Sequence, residues 1–119
     1  MAESVVDSVM TAHVFNRGLD RRYPATLSRA TVGGLLRGDL GWQGVVVSDD
    51  LRMVAIEQHY GLDDATVLAV GAGVDVLLIA DDRLADGRSA ARVAVDALRR
   101  ALEEGRPTAR AVAAWGAWA

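Results

Sequence analysis

The chain has 119 residues, of which 51% are hydrophobic and 24% charged, a balance typical of one globular domain or of a part of a larger one. The formal net charge of -3 gives no reason to expect binding to nucleic acid or to an anionic membrane, and no apolar run approaches the ~20 residues of a membrane span. Because there is no Cys, disulfides, thiolate catalysis and Cys-based zinc sites are excluded. We expect that the chain binds neither a metal nor a cofactor. We also expect a cytoplasmic location.

The first part of the chain predicts a strand, a loop and a helix. The apolar stretch Val9–Val14 is typical of a strand that ends near His13. A loop rich in Arg follows, and Thr26 or Ser28 can cap a helix that runs to about Asp39. We expect this helix to bury a stripe of leucines, namely Leu35, Leu36 and Leu40.

The central stretch combines a short apolar run with an abrupt polar end. Val45, Val46 and Val47 are β-branched and predict a strand that is covered on both faces. Asp49 and Asp50 come directly after it, preceded by Ser48. In parallel α/β folds functional groups lie beyond the carboxyl ends of strands, so this acidic pair is the first candidate for chemistry. Ser and Asp are also good helix caps, and a purely structural role stays open.

The second half of the chain predicts five further elements. They are a helical turn over Met53–His59, a helix over Ala65–Ala72 closed by Gly73, a strand over Val74–Ala80, a helix over about Gly87–Glu104, and a last helix over Thr108–Trp118 whose Trp115 and Trp118 would dock on an apolar surface. The alternation of strands and helices favours parallel βαβ units. A (β/α)8 barrel takes about 250 residues, so the chain supplies roughly three of its eight units.

Four segments resemble the barrel of glycoside hydrolase family 3, and within it the bacterial β-N-acetylhexosaminidases. They occur in the family's order and spacing: Val9–Val14, Pro24–Ser28, Leu35–Met53 and Ala69–Ile79. The resemblance covers roughly residues 5 to 104. It implies an α/β fold made of roughly the last three units of a (β/α)8 TIM barrel, with residues 1–119 as the C-terminal portion of the family's N-terminal-type barrel domain.

The resemblance also implies a reaction and a nucleophile. The family's nucleophile matches Asp49, and its chemistry is retaining hydrolysis of a terminal β-N-acetylhexosaminide, or a β-glucoside, through a covalent glycosyl-enzyme. The implied partner is therefore a carbohydrate substrate. The carboxylate must be ionised to attack, which hydrogen bonds from the backbone or from Ser48 would favour. Asp50 would cap the next turn or hold the loop.

Two further residues are candidates for contact with the sugar. His13 lies at the mouth end of the first strand, although it can equally be a hydrogen-bonded histidine that shapes the barrel rim. Met53 can line the sugar pocket or fill the core. We expect His59 and Tyr60 to be loop structure. We expect Asp81 and Asp82 to be a solvated turn or a helix cap.

The departures from the family concern the other half of the catalytic machinery. The sugar-binding Lys-His and Gly-His-Gly segment is absent, as is the Asp-Ser-His loop whose His acts as acid/base. We therefore expect little or no glycosidase activity from this chain alone, because general acid–base help is typically worth ~10²–10⁴-fold. The chain would be a truncated gene product, a domain fragment or one piece of a split enzyme.

Two other functions fit parts of the pattern. A response-regulator receiver also places an acceptor Asp after a valine-rich strand, but it needs an acidic pair after its first strand and a Lys after its last, and the chain has no Lys. A non-catalytic interaction domain would instead use its open sheet edges, with Trp115 and Trp118, to bind a partner. The expected partner is a second copy or the missing barrel half.

Overall fold

A computed structural model describes residues 6–106 of the chain. Within this range two short strands and three α-helices alternate with a 3₁₀ turn and a π-helix. In chain order they are β1 (Ser8–Met10), the 3₁₀ turn Ala25–Leu27, the π-helix Arg29–Asp39, β2 (Val45–Val47), α1 (Val54–Tyr60), α2 (Leu62–Ala72) and α3 (Ala90–Glu103). The predicted last helix, with Trp115 and Trp118, lies outside the described residues.

Three extended segments run parallel to one another, as the α/β prediction requires. β1 pairs with β2 so that Val9 lies opposite Val46. On the other side of β2, Val47 forms a parallel bridge with Val76. Residues 74–80 therefore lie beside β2, but the predicted third strand is reduced to that bridge. The reason is that the Leu78 N–H donates to the Ser48 hydroxyl (2.9 Å) and not to a backbone carbonyl.

The first strand is shorter than predicted. β1 ends at Met10, three residues before His13. The Thr11 N–H still donates to the Val47 carbonyl (2.8 Å), and the chain then leaves the sheet. His13 consequently lies in the loop beyond the carboxyl end of the strand.

Helix boundaries follow local capping chemistry. The Ser28 hydroxyl accepts a hydrogen bond from the Thr31 N–H (3.0 Å), which confirms Ser28 as a cap. Gly73 closes α2 in the left-handed conformation (φ 117°), which glycine adopts without steric cost. The last described helix begins at Ala90 and not near Gly87, because Arg83 and Ser89 form an antiparallel bridge before it.

The predicted leucine stripe is wrong in part. Leu40 is 45% exposed, whereas Val32 is buried. The predicted stripe assumed α-helical spacing of 3.6 residues per turn, but the segment is a π-helix with a wider turn. The Leu40 N–H, for example, donates to the carbonyl of Leu35, five residues back. The wider turn therefore places Val32 on the buried side of the helix and Leu40 on the exposed side.

The main core lies between the sheet and the helices. It is built from buried apolar side chains of both layers: Leu27, Val32, Trp42, Val46, Ile56, Ala65, Ala69, Ala72 and Val74. Within residues 6–106 no helix combines the length and the apolar character needed to cross a bilayer.

Arg37, in the π-helix, binds the amino-terminal ends of the extended segments in the sheet. Its guanidinium donates to the carbonyls of Gly44 (3.0 Å) and Gly73 (2.8 Å) and pairs with Asp75 (2.7 Å). The same Asp75 oxygen accepts the Val46 N–H (2.8 Å). One planar side chain thus joins β2 to the segment beside it, at the end of the sheet opposite Asp49.

Candidate active site

The first question is which face of the sheet Asp49 occupies. Successive side chains of a strand alternate between faces, and the segment remains extended after β2 because the Ser48 N–H donates to the Val76 carbonyl (2.9 Å). Val46 and Ser48 are fully buried against the helices. Val45, Val47 and Asp49 alternate with them, and Asp49 is partly buried. Asp49 therefore belongs to the face that the helices do not cover.

The Asp49 carboxylate is held by the backbone of the next residue. Its Oδ1 accepts the Asp50 N–H at 2.7 Å, so the expected backbone donor is present. The expected donor Ser48 is directed elsewhere, since it is buried on the helical side and its hydroxyl oxygen accepts from Leu78. Within the described residues Oδ2 has no protein partner, which leaves that oxygen available to a ligand.

Asp50 ties the ends of the three extended segments together. Its Oδ1 accepts the N–H groups of Arg52 (3.0 Å) and of Ala80 (3.1 Å), the latter in the loop after the third segment. Its carbonyl accepts from His13 Nε2 (2.7 Å), in the loop after β1. Asp50 thus caps the turn and holds the loop.

The structure brings the sequence-predicted residues His13 and Met53 together around the same peptide. The Met53 N–H donates to the Asp50 carbonyl (3.2 Å), the oxygen that also accepts from His13. Met53 is the residue before α1, and its side chain is exposed. Both residues therefore contact the backbone of Asp50, the residue that follows Asp49 in the chain.

Two threonines complete the surroundings of His13. The His13 Nδ1 lies 2.9 Å from the Thr26 hydroxyl, which lies 2.8 Å from the Thr11 hydroxyl. Thr26 is fully buried, and its hydroxyl also lies 3.0 Å from the Ala12 carbonyl. Sequence reasoning treated Thr26 only as a possible helix cap. Nothing in the spacing of these residues signals that they meet.

Arg52 was also missed by the sequence analysis. Its Nη1 donates to the carbonyls of Asp81 (2.9 Å) and Arg83 (2.8 Å), and Nη2 contacts Glu57 (3.3 Å). Its Nε is buried without a hydrogen-bond partner in the described part of the chain. Arg52 thereby fixes the loop after the third segment against the loop that carries Asp49.

The other predicted polar residues are structural. Asp82 accepts from the Ala91 N–H (2.8 Å) and the Ser89 hydroxyl (2.9 Å), and these bonds, the backbone one first, lower the pKa of Asp82. It therefore caps α3, as one of the two expected roles. His59 and Tyr60 belong to the last turn of α1 and not to a loop. Burial, more than any neighbouring charge, raises the pKa of the Tyr60 hydroxyl.

Among the described residues, two cavities of about 300 Å³ or more lie away from this site. One of about 350 Å³ is lined by Tyr23, Arg29 and Arg106 among others. The other, of about 300 Å³, is lined by Glu57, Leu84 and Arg100 among others. Neither includes Asp49, which is instead at the open end of the uncovered sheet face. Among residues 6–106 no group of three or more His, Asp or Glu is arranged to hold a metal ion.

The chain is similar in sequence to known proteins. A family model described as the glycosyl hydrolase family 3 N-terminal domain matches residues 1–115. A beta-hexosaminidase of Bordetella avium is 36% identical over 107 residues, which cover 86% of this chain and 30% of that protein. A beta-hexosaminidase of Alkalilimnicola ehrlichii is 39% identical over 79 residues, which cover 66% of this chain and 22% of that protein.

Solved structures show the same likeness. A glycoside hydrolase family 3 beta-N-acetylglucosaminidase from Paenibacillus sp. strain FPU-7 superposes with a TM-score of 0.76 at 42% identity, covering 91% of this chain and 20% of that one. A beta-N-acetylhexosaminidase from Beutenbergia cavernae superposes with a TM-score of 0.70 at 32% identity, covering 94% of this chain and 34% of that one. The chain thus spans between a fifth and about a third of the length of these proteins.

Proposed function

The chain belongs to glycosyl hydrolase family 3, and from this premise we propose that it carries the nucleophile, Asp49, of a retaining glycosidase that acts on terminal β-N-acetylhexosaminides. The observation that carries the proposal is the position of this carboxylate. It lies at the carboxyl ends of three parallel segments, on the face that the described helices leave uncovered. One oxygen accepts a backbone N–H (2.7 Å), and the other has no partner among residues 6–106. Family membership favours this function over a receiver-like domain.

The geometry assigns separate tasks to the two carboxylate oxygens. Oδ1 accepts the Asp50 N–H, and this hydrogen bond restricts rotation of the side chain. Oδ2 attacks the anomeric carbon, the bond to the leaving-group oxygen breaks, and a covalent glycosyl ester forms. Water then attacks the same carbon, releases the sugar with retained configuration and regenerates the carboxylate.

The proton that the leaving group needs comes from outside this chain. In a retaining glycosidase a second residue donates it and later activates the water. Neither described histidine fits that role: both ring nitrogens of His13 are engaged by the protein, and His59 is on α1. We therefore propose that the chain alone has little or no activity. His13 and Met53 would contact a bound sugar from the rim, His13 through its ring carbons.

We further propose that the chain is roughly the last three β/α units of a (β/α)8 barrel, with residues 1–119 as the C-terminal portion of the barrel domain. Structures of the family's N-terminal domain are TIM-barrel-like. Three parallel segments, each followed by helix, support the assignment. So does an apolar sheet face that lacks cover within residues 6–106, which either the remaining barrel units or a second copy of the chain would bury.

The decisive experiment completes the barrel. The chain is joined behind the upstream part of the Bordetella avium relative, in place of that protein's matching segment, and assayed on an aryl N-acetylglucosaminide. We expect turnover by the chimera and none above background by the isolated chain. Asp49→Asn should abolish turnover in the chimera. Asp86→Asn is the matched control, because its exposed side chain pairs with Arg88 and not with the loop that carries Asp49, so it should retain most of the activity.

A covalent label identifies the attacking residue directly. A fluorinated sugar that forms the glycosyl-enzyme but hydrolyses slowly should add one sugar mass to a peptide that contains Asp49. Labelling at another carboxylate would contradict the assignment of the nucleophile. Turnover by the isolated chain that Asp49→Asn removes would contradict the proposed inactivity and leave the nucleophile in place.

A further inference from the structure

We propose that His13 is a positioning residue that sets the orientation of Asp49 through the backbone of Asp50. The His13 Nε2 lies 2.7 Å from the Asp50 carbonyl oxygen. A carbonyl can only accept a hydrogen bond, so Nε2 carries the hydrogen and donates it. The same residue donates its own N–H to Asp49 Oδ1 at 2.7 Å. One residue therefore links the imidazole on one side to the carboxylate on the other.

The imidazole is itself fixed from its opposite edge. Its Nδ1 lies 2.9 Å from the hydroxyl of Thr26, which is fully buried and part of the 3₁₀ turn. That hydroxyl also lies 3.0 Å from the Ala12 carbonyl and 2.8 Å from the Thr11 hydroxyl. Its single hydrogen goes either to Nδ1 or to the carbonyl, and in the second case Nδ1 donates to the hydroxyl oxygen. With both nitrogens held, the ring cannot turn its Nε2 away without losing two hydrogen bonds. The loop after β1 thus holds the carbonyl of Asp50, one peptide group beyond the N–H that donates to Asp49.

This arrangement assigns His13 a role other than polar recognition of the substrate. A histidine that binds a sugar hydroxyl needs a free ring nitrogen, and here neither is free. A positioning residue instead affects the step in which the carboxylate attacks, because small displacements of a reacting group are costly. The catalytic consequence rests on the proposed function, whereas the hydrogen bond from His13 to Asp50 does not.

The first test needs neither a sugar nor turnover. In the isotopically labelled full chain, long-range proton–nitrogen NMR spectra report which ring nitrogen of each histidine carries a hydrogen. We expect a protonated Nε2 on His13, with an N–H signal that exchanges slowly with solvent. The exposed His59 serves as the internal comparison and should show no such slow signal. A His13 Nε2 without hydrogen, or one that exchanges as fast as that of His59, would overturn the proposal.

Variants then test whether His13 acts on Asp49. His13→Phe keeps a planar ring but removes the donor, whereas His13→Gln restores a side-chain N–H; His59→Gln is the matched control. We expect the Asp49 carboxylate and Asp50 carbonyl signals to shift in His13→Phe, to return partway in His13→Gln, and to be unchanged in the control. A folded His13→Phe chain with unshifted Asp49 signals would contradict the proposal. If His13→Phe does not fold, the measurement on the unaltered chain still decides the hydrogen bond.

The completed barrel separates this proposal from the proposed function. There His13→Phe should lower kcat at least tenfold with little change in KM, and His13→Gln should recover part of the loss. A raised KM with unchanged kcat would mean that His13 binds the sugar and does not position Asp49. Absence of any Asp49 labelling in the unaltered chimera would overturn the function, while the NMR result on the chain would stand.

Discussion

The two faces of the sheet differ sharply in what covers them. On one face Val46 and Val74 are fully buried beneath helices of the same chain. On the other, Met10 is 60% exposed, Val76 47% and Leu78 40%. Both faces are apolar, and a soluble monomer rarely leaves a contiguous apolar surface open. Within residues 6–106 the helices therefore cover one face of the sheet, and the face on the side of Asp49 is open to a partner or to further chain.

The strongest way to break this comparison is to place a charge on each face in turn. Val46→Asp would bury an ion without a partner, at a cost of several kcal/mol against a total stability of about 5–15 kcal/mol. We expect this variant to be unfolded at 25 °C. Val45→Asp, one residue earlier and on the uncovered face, should keep its helical circular dichroism and a cooperative melt.

The same pair of variants also tests self-association. If the uncovered face joins two copies of the chain, Val45→Asp should shift the assembly toward monomer, as measured by size exclusion with light scattering. Equal loss of structure in both variants would mean that the two faces are not distinct, and the comparison would fail.

Substitution of Arg37, at the amino-terminal end of the sheet, should lower the free energy of unfolding by less than Val46→Asp does. Arg37→Ala removes the ion pair with Asp75 and the donors to Gly44 and Gly73, and we expect a loss of about 2–3 kcal/mol in urea denaturation. Arg37→Lys keeps the charge but not the planar fork, so it should lose about half as much. An unchanged urea midpoint for Arg37→Ala would show that the contacts of the Arg37 guanidinium add nothing to stability.

A smaller effect should reveal whether the uncovered face is buried in the complete protein. In the isolated monomeric chain, Val76→Ala should change stability by less than about 0.5 kcal/mol, since the side chain already meets water. In the completed barrel the same substitution should cost about 1–2 kcal/mol, because the side chain is then buried. Equal costs in both settings would contradict a role for this face as the inner layer of a barrel.

The smallest effect concerns a site that belongs to neither face. Hydrogen bonds from the Ala91 N–H and the Ser89 hydroxyl lower the pKa of Asp82 below its ordinary value of 3.8. A carboxyl whose pKa is lower in the folded state adds stability above its unfolded pKa and loses it as the pH falls through the folded one. Asp82→Asn should therefore melt slightly lower at pH 7, and the difference should vanish once the pH has fallen below the folded pKa of Asp82.

Sequence predicted best what depends on neighbours in the chain. The valine run of β2, the Ser28 cap and the glycine that closes α2 all follow from local preferences. The predicted third strand is too long, because the Leu78 N–H binds the hydroxyl of Ser48, thirty residues away in the chain. The sequence could not show that His13 meets Thr26 and Asp50, since 13 and 37 residues separate these contacts.

The hydrogen bonds around Asp50 have a consequence for making chimeras of family members. The groups that hold its peptide and its carboxylate, from His13, Arg52, Met53 and Ala80, all belong to one contiguous stretch of chain. A crossover upstream of this stretch would move Asp49, the proposed nucleophile, together with the groups that hold the residue after it. Gene shuffling among family members at that boundary should therefore exchange the upstream part of the domain while the Asp49 carboxylate keeps its geometry.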